Sequence, residues 1–183
     1  MGMLGDNVFN GDLKPGRVIH NAIDLGLSVD EITVENEIDF TDCFAAQYGT
    51  KPIDKIKTGE LWMVTVNLAK YTIAQLAAAM NGMTVSAGGN AAKKEMNGYT
   101  SMYDNSSLLI LKRTDDMNVI SADEDYWINF PRAYWFNESD ILTFGPSEQE
   151  TFEAKFICFR DRTAGSASLG NFWWSGQAST ALA

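Results

Sequence analysis

Alternation of polar and apolar residues with a period of two recurs in three separate segments, at residues 31–40, 59–68 and 151–159. A half-buried strand shows this period because its successive side chains point to opposite faces of a sheet. In the first segment the polar face is strongly acidic and comprises Glu31, Thr33, Glu35, Glu37 and Asp39. The pattern predicts strands with one side on a core and the other facing water or a channel.

Further apolar runs predict strands at residues 108–112, 127–134 and 141–144. A single helix is predicted after the second alternating segment, because Thr72 and Gln75 have the spacing of a capping box. The absence of a repeated strand-helix-strand rhythm argues against a parallel sheet. The sequence therefore predicts a mainly β fold: an antiparallel β-sandwich or partly closed barrel with one flanking short α-helix.

Two segments are predicted to lie outside the main strands. Residues 41–58 contain the breakers Gly49 and Pro52 and exceed the usual length of a hairpin turn, so they predict a long loop. Residues 82–107 are rich in glycine, asparagine and serine and predict a surface loop or hairpin. The chain is predicted to be one domain, with an N-terminal arm at 1–16, a β core at 17–162 and a C-terminal tail at 163–183.

The charge of the chain excludes one class of function. Its 183 residues carry 24 acidic and 14 basic side chains, a net charge of −10. Tight binding of nucleic acid needs basic side chains that neutralise phosphates, so it is disfavoured. An acidic surface past which nucleic acid slides is still compatible with this composition. Apolar runs are far too short to span a membrane, so no membrane partner is expected.

Residues for catalysis or metal binding are scarce. The single histidine, His20, lies in a short predicted strand, and Cys43 and Cys158 lack metal-ligand spacing. The glycines match no phosphate-binding loop, and the acidic pairs lie in turn-like sequence where solvated carboxylates are common. We therefore expect no catalytic residue, no metal and no cofactor. A hydrolytic enzyme is a minor alternative without a distinctive motif.

Three phrases, in their order along the chain, resemble the tail tube (major tail) proteins of long-tailed bacteriophages. The first is YGTKPIDKIKTGE at residues 48–60, followed by an alternating strand and then YTIAQL at residues 71–76. The second and third are INFPRA at residues 128–133 and TFEAKF at residues 151–156, with Arg160-Asp161 after the final strand. The glycine-rich segment at 82–107 and the tryptophan-bearing tail depart from the family pattern.

This resemblance implies a structural virion protein rather than an enzyme. Family members form hexameric rings whose strands join into a continuous β-barrel around a channel, and the rings stack into a tube. The expected partners are further copies of the chain and other tail proteins such as the tape measure, terminator and baseplate. Double-stranded DNA is expected to pass without tight binding. The expected location is the virion tail, after assembly in the cytoplasm of the host bacterium.

The resemblance also implies roles for three sets of residues. The acidic face of residues 31–39, or an equivalent acidic strand face, is predicted to line the lumen. The long loop is predicted to contact the adjacent ring through Tyr48, Gly49, Lys51, Pro52, Asp54, Lys55 and Lys57. The tail is predicted to anchor on a neighbouring subunit, or to dock on its own domain, through Phe172, Trp173 and Trp174.

Two alternatives remain open. A tail terminator or baseplate ring protein has the same fold and differs in that its rings do not polymerise. A carbohydrate-binding β-sandwich would instead use exposed aromatic rings as sugar platforms, and it predicts a monomer. The candidate platforms are Trp127, Trp135, Trp173 and Trp174.

Overall fold

A computed structural model describes residues 16–28, 31–44, 51–80, 83–86, 92–94, 101–113, 127–136, 142–143, 151–163 and 170–175. In chain order the elements are β1 (Gly16–His20), β2 (Ile23–Asp24), β3 (Leu27–Ser28), β4 (Thr33–Cys43), β5 (Asp54–Lys70), α1 (Ile73–Ala79), β6 (Met83–Val85), β7 (Ala92–Lys94), β8 (Ser107–Arg113), β9 (Ile128–Trp135), β10 (Leu142–Thr143), β11 (Thr151–Phe159) and β12 (Trp174–Ser175). The predicted mainly β fold with one short helix is confirmed.

Ten of these strands form one antiparallel sheet that curls back on itself. Its main path runs β2-β1-β8-β9-β11-β5-β3, with β4 also paired to β5, β10 to β11 and β12 to β9. The first and last strands of this path, β2 and β3, are joined by only Leu25 and Gly26. Leu25 N donates to Val18 O over 2.9 Å. Among the described strands, the sheet therefore forms a barrel that is only partly closed.

The core lies inside the barrel, on alternate positions of the central strands. β11 alternates strictly between half-buried and fully buried residues, and its buried side chains lie directly opposite those of β5. The paired core residues are Phe152 with Leu68, Ala154 with Val66, and Phe156 with Val64. The period of two in the sequence is thus explained by burial of one face, and each large apolar side chain contributes about 1.5–3 kcal/mol by leaving water.

The helix α1 begins where the sequence predicts. Gln75 N donates to Thr72 Oγ1 over 3.3 Å and Thr72 N donates to Gln75 Oε1 over 2.7 Å, which completes the capping box. Gln75 Nε2 also donates to Asp24 O over 2.9 Å and ties the helix to β2. The last helical residue is Ala79, and Met80 caps the helix with an extended backbone. The next glycine in the sequence, Gly82, lies outside the described residues.

The segment at 41–58 differs from its prediction as a long loop. β4 continues to Cys43 and β5 begins at Asp54, so residues 41–43 and 54–58 are paired strand and only residues 44–53 lie between the strands. A register shift between Asp39 and Phe40 marks a bulge, after which the pairing continues to Cys43 and Asp54. Pro52 lies just before β5, and Gly49 lies outside the described residues. The prediction of a loop thus extends too far into both strands.

The segment at 82–107, predicted to be a surface loop or a hairpin, contains a short hairpin. β6 pairs antiparallel with β7, with Met83 opposite Lys94 and Val85 opposite Ala92. A turn at residues 102–105 then leads into β8. This hairpin is a sheet of its own beside the barrel.

Candidate functional site

The predicted acidic set lies on one face of the β4–β5 hairpin. Glu35 is directly opposite Met63 and Glu37 is directly opposite Leu61, and directly opposite residues share a face of the sheet. Because the buried Val64 points to the core, these neighbours point outward. Thr33 and Asp39 occupy the same outer face by alternation, and Glu31, just before the strand, is exposed. The outer face of β4 is therefore acidic, as its sequence pattern indicates.

This outer face continues across the next strands in register, and its side chains change from acidic to apolar to basic. One row of directly opposite residues contains Glu35, Met63, Ile157 and Tyr134 on β4, β5, β11 and β9. In the adjacent row, Phe159 on β11 lies opposite Arg132 on β9. The face thus runs from carboxylates at β4, through apolar side chains in the middle, to a guanidinium at β9.

The cations of the hairpin lie on its other face, where carboxylates neutralise them. Lys55 Nζ lies 3.5 Å from Asp42 Oδ1, and Lys57 forms an ion pair with Glu60. The hydrogen bond from Lys57 is the main reason that the pKa of Glu60 is lowered, and the indole of Trp62 donates to the same carboxylate over 2.8 Å. These pairs leave the carboxylates of the outer face without local cations.

The outer acidic residues have no ion pair among the described residues. Glu35, Glu37 and Asp39 are all exposed and none lies in a salt bridge there. The absence of a side chain at Gly59 leaves space for the carboxylate of Asp39, because a Cβ at position 59 would lie 2.8 Å from Asp39 Oδ2. We call Glu35, Glu37 and Asp39 the acidic border.

The hairpin also exposes large apolar side chains. Their exposed fractions are 39% for Val34, 56% for Phe40, 59% for Phe44, 52% for Ile53 and 53% for Ile56. In the described part of the chain β4 pairs only with β5, and β11 pairs with β5 no further than Trp62. The hairpin therefore extends past the barrel with open backbone edges, an arrangement that favours pairing with another chain.

The residues predicted to contact an adjacent ring lie at the end of this hairpin. Lys51, Pro52, Asp54, Lys55 and Lys57 are all exposed there. Tyr48 and Gly49 lie outside the described residues. The described members of the set are therefore accessible to a partner, and their role stays a prediction.

Three arginines lie near the end of β11: Arg160 and Arg162 line one cleft, and Arg132 on β9 shares the ring of Tyr103 with Arg162. The ring of Tyr103 lies between two of them, 5.4 Å from the guanidinium carbon of Arg132 and 5.2 Å from that of Arg162. Arg162 N also donates to Tyr103 Oη over 2.7 Å. Arg160 Nε donates to Gly170 O over 2.7 Å. We call Arg132, Arg160 and Arg162 the arginine cluster.

Sequence reasoning did not assign this cluster a role. Arg132 and Arg162 are distant in the chain, and only the pairing of β9 with β11 brings them together. The one signal in the sequence is the Arg-Asp-Arg run at residues 160–162. An open cleft of about 690 Å³ lies beside the cluster, with Leu61, Phe159 and Phe172 among its lining residues.

The tail packs partly on its own barrel. The rings of Trp173 and Trp62 are 6.0 Å apart in an edge contact, and Trp173 packs against the core. Trp174 belongs to β12, which pairs with β9 opposite Asn129. Phe172 is half-buried beside the cleft. An anchor on a neighbouring subunit stays a prediction, and it would use the sides of Phe172 and Trp173 that their own chain leaves open.

His20 has a structural position. It is 1% exposed, with Nδ1 2.6 Å from Ala78 O and Nε2 3.4 Å from Ala133 O, so it links α1 to β9. Its ring also lies 4.8 Å from that of Phe156. Burial lowers the pKa of His20. The neutral ring donates one hydrogen bond, and the shorter distance assigns it to Ala78 O.

The described residues contain neither a candidate metal site nor a candidate membrane-spanning helix. No group of three or more histidine, cysteine, aspartate or glutamate side chains with metal-binding geometry occurs among them. No helix among them is long and apolar enough to cross a membrane. Cys158 is buried, which raises the pKa of its thiol.

Comparison with known proteins gives remote structural likenesses. No family model matches the chain, and no curated protein matches it. One similar structure is the cap of the anti-feeding prophage, described as its tube-terminating cap, with a TM-score of 0.38 and 10% identity over 79% of this chain and 83% of that one. Another is Hcp1 from Flavobacterium johnsoniae, with a TM-score of 0.32 and 15% identity over 80% of this chain and 90% of that one. At these values neither structure assigns a function to this chain.

Proposed function

We propose that this chain is a structural subunit that forms hexameric rings with copies of itself, and that the rings stack into a phage tail tube through which DNA leaves the capsid. The observation that carries the proposal is the β4–β5 hairpin. It extends past the barrel with open edges and exposed apolar side chains such as Phe40, and it carries uncompensated carboxylates on its outer face.

Self-assembly is favoured because a hairpin without a partner leaves its backbone edges and apolar side chains exposed to water. A two-stranded ribbon has little stability by itself, and its open backbone groups and apolar side chains favour contact with another chain. Closure of several copies into a ring removes the open edges of all of them, because each copy completes the next. Further copies are therefore the partners that this geometry fits best.

The acidic border suits a channel wall that does not hold DNA. Carboxylates such as Glu35 and Glu37 offer phosphates no counterion release, and six subunits of net charge −10 repel a polyanion at short range. At 0.1 M salt the repulsion is screened beyond about 10 Å, so it acts only at the wall itself. Arg132 and Lys155 lie on the same outer face, and the wall is therefore not acidic throughout.

The remaining proposed partners and location follow from this assignment. A tube in a virion tail would meet a tape measure protein inside, a terminator at one end and a baseplate at the other. The subunits would assemble in the cytoplasm of the host bacterium. None of these contacts requires a cofactor or metal.

The carbohydrate-binding alternative loses two of its sugar platforms. The Nζ atom of Lys112 lies 3.4 Å from the centroid of the Trp127 ring and covers one face of it. Trp173 packs against Trp62 and the core. An aromatic platform must present an open ring face to a sugar, so these two rings fit that role poorly.

Negative-stain electron microscopy of the full chain over a range of concentrations tests the proposal, with sedimentation velocity on the same samples. Stacked rings with an axial hole are the expected result. Isolated rings that never stack would favour a terminator or baseplate ring protein. A monomer at every concentration would overturn the assembly proposal.

Cysteine labelling of assembled tubes tests which face lines the channel. In a Cys43→Ser background, Thr33→Cys places a thiol on the outer face of β4. A small maleimide should label it through the bore, whereas a maleimide on a large polymer should be excluded. Lys51→Cys, at the exposed end of the hairpin, serves as a second position. Equal labelling of Thr33→Cys by both reagents would contradict the lumen assignment.

A further inference from the structure

The outer face of the barrel has two oppositely charged borders, which lie on different strands. The acidic border lies on β4. Arg132 lies on β9, with β5 and β11 between, whereas Arg160 and Arg162 directly follow β11, with β5 between. Adjacent strands are about 4.8 Å apart, so β4 is about 14 Å from β9 and about 10 Å from β11, and none of the three arginines forms an ion pair with the acidic border of its own copy among the described residues. Glu37 and Arg132 of one copy are therefore too far apart to form an ion pair with each other.

The arginine cluster has more positive charge than its own surroundings neutralise. Its described carboxylate partner is Asp161, which is nearly buried and lies 3.7 Å from Arg132 Nε. Arg160 donates to a carbonyl oxygen and Arg162 lies against the ring of Tyr103, and neither bonds a carboxylate among the described residues. Two guanidinium groups are thus at the surface without an ion pair of their own among the described residues, because Glu60 and Asp161, which line the same cleft, pair with Lys57 and Arg132.

The acidic border has the complementary excess. The nearby lysines of the hairpin, Lys55 and Lys57, lie on the opposite face and are paired there. A chain of net charge −10 that gathers arginines at one place has a strongly uneven charge distribution. Such complementary patches select a partner and its orientation, because like charges brought together cost several kcal/mol.

We propose that the two borders meet between copies, so that the acidic border of one subunit forms ion pairs with the arginine cluster of the next subunit around the ring. The contact joins two different surfaces of the same chain, which is the type of interface that closes into a ring. Arg160 and Arg162 supply planar donors suited to Glu35 and Glu37. This proposal rests on the ring-forming function, and it names the surfaces that form the seam.

The seam has a consequence for the channel wall. Because Arg132 and Glu37 share the outer face of the sheet, the ion pairs would lie at the edge of that face. Each guanidinium would then be neutralised by the neighbouring subunit. DNA passing along the wall would meet paired charges at the seams and not bare arginines.

Two charge-reversed variants test the seam. The first is Glu35→Lys with Glu37→Lys, and the second is Arg160→Glu with Arg162→Glu. Each alone places like charges at every seam, so the concentration needed for ring formation should rise about a hundredfold or more. A 1:1 mixture should form rings again, because in an even-numbered ring of alternating copies every seam pairs opposite charges.

A control changes the surface charge away from the seam and from the predicted contact with the adjacent ring. Ala74→Lys adds a positive charge at an exposed position of α1 and should leave ring formation within about threefold of the wild type. Circular dichroism and thermal unfolding check that every variant folds. Rising salt should weaken wild-type ring formation, because the seam is electrostatic.

The outcomes separate the seam from the proposed function. Rings of the wild type together with rings of either reversed variant at wild-type concentration would overturn the seam and leave the ring function standing. Failure of the folded variants to form rings as a mixture would also overturn it. A wild type that forms no ring at any concentration would overturn the ring function, and the seam with it.

Discussion

Strands β11 and β4 have the same alternating sequence pattern and opposite surroundings. On β11 the apolar face is fully buried, with Phe152 and Phe156 at 0% exposure. On β4 the equivalent face leaves Val34 at 39% and Phe40 at 56% exposure. The alternation thus indicates that a face needs to be covered, and it does not indicate which chain covers it.

The difference follows from the position of each strand in the sheet. β11 lies between β5 and β9, inside a barrel that surrounds its apolar face. β4 borders β5 alone among the described strands, and beyond Trp62 the hairpin has left the barrel. The described part of the chain therefore leaves the apolar face of the hairpin uncovered, which is why the comparison bears on the proposed assembly.

The largest expected effect on the free energy of unfolding comes from a substitution in the buried face of β11. Phe156→Ala should lower the free energy of unfolding by about 3–5 kcal/mol, because it removes a fully buried ring that contacts His20. Urea unfolding of dilute protein measures this, and Phe156→Leu should cost only about 1 kcal/mol. A loss below about 1 kcal/mol for Phe156→Ala would mean that the barrel core is not packed as described.

Much of the fold could be predicted because its signals are local. The alternating segments at 31–40, 59–68 and 151–159 are strands, and the capping box at Thr72 begins the helix. The extension of the hairpin was missed because residues 41–43 and 54–58 are held by pairing between strands, in which Asp42 faces Lys55. Such pairing depends on register, and the turn residues in the same segment conceal it.

The candidate site likewise has one part that the sequence predicts and one part that it does not. The shared face of Glu35, Glu37 and Asp39 follows from a period of two within one strand, so the sequence could predict it. The arginine cluster depends on how β9 and β11 pair and on where Tyr103 lies between them. Residues so distant in the chain are brought together by topology alone, which a local pattern does not contain.

A pH effect of intermediate size is expected from the barrel body. His20 is the only histidine, and burial lowers its pKa against the opposing effect of its hydrogen bonds to Ala78 O and Ala133 O. The unfolded chain binds a proton near pH 6.5 and the folded chain only at lower pH, so protonation favours unfolding. Stability should be constant above about pH 6.5 and fall below it by up to about 1.4 kcal/mol per pH unit.

Urea unfolding at several pH values between 7.5 and 5 measures this slope. The control is His20→Gln, which removes the titrating group, so its stability should vary less over the same range. The hairpin has no histidine. Parallel pH dependence in the wild type and His20→Gln would show that another group is responsible.

The smallest effect on stability is expected in the hairpin, where the effect on assembly should be larger. Phe40→Ala removes the same ring as Phe156→Ala, but at a position that is 56% exposed. The free energy of unfolding of the monomer should change by no more than about 0.5 kcal/mol. If a neighbouring subunit covers this face, the concentration needed for assembly should rise about tenfold or more. Light scattering and electron microscopy measure the second quantity, and urea unfolding measures the first. A loss of monomer stability as large as that of Phe156→Ala would mean that the hairpin face is covered by its own chain, and the contrast between β4 and β11 would then disappear.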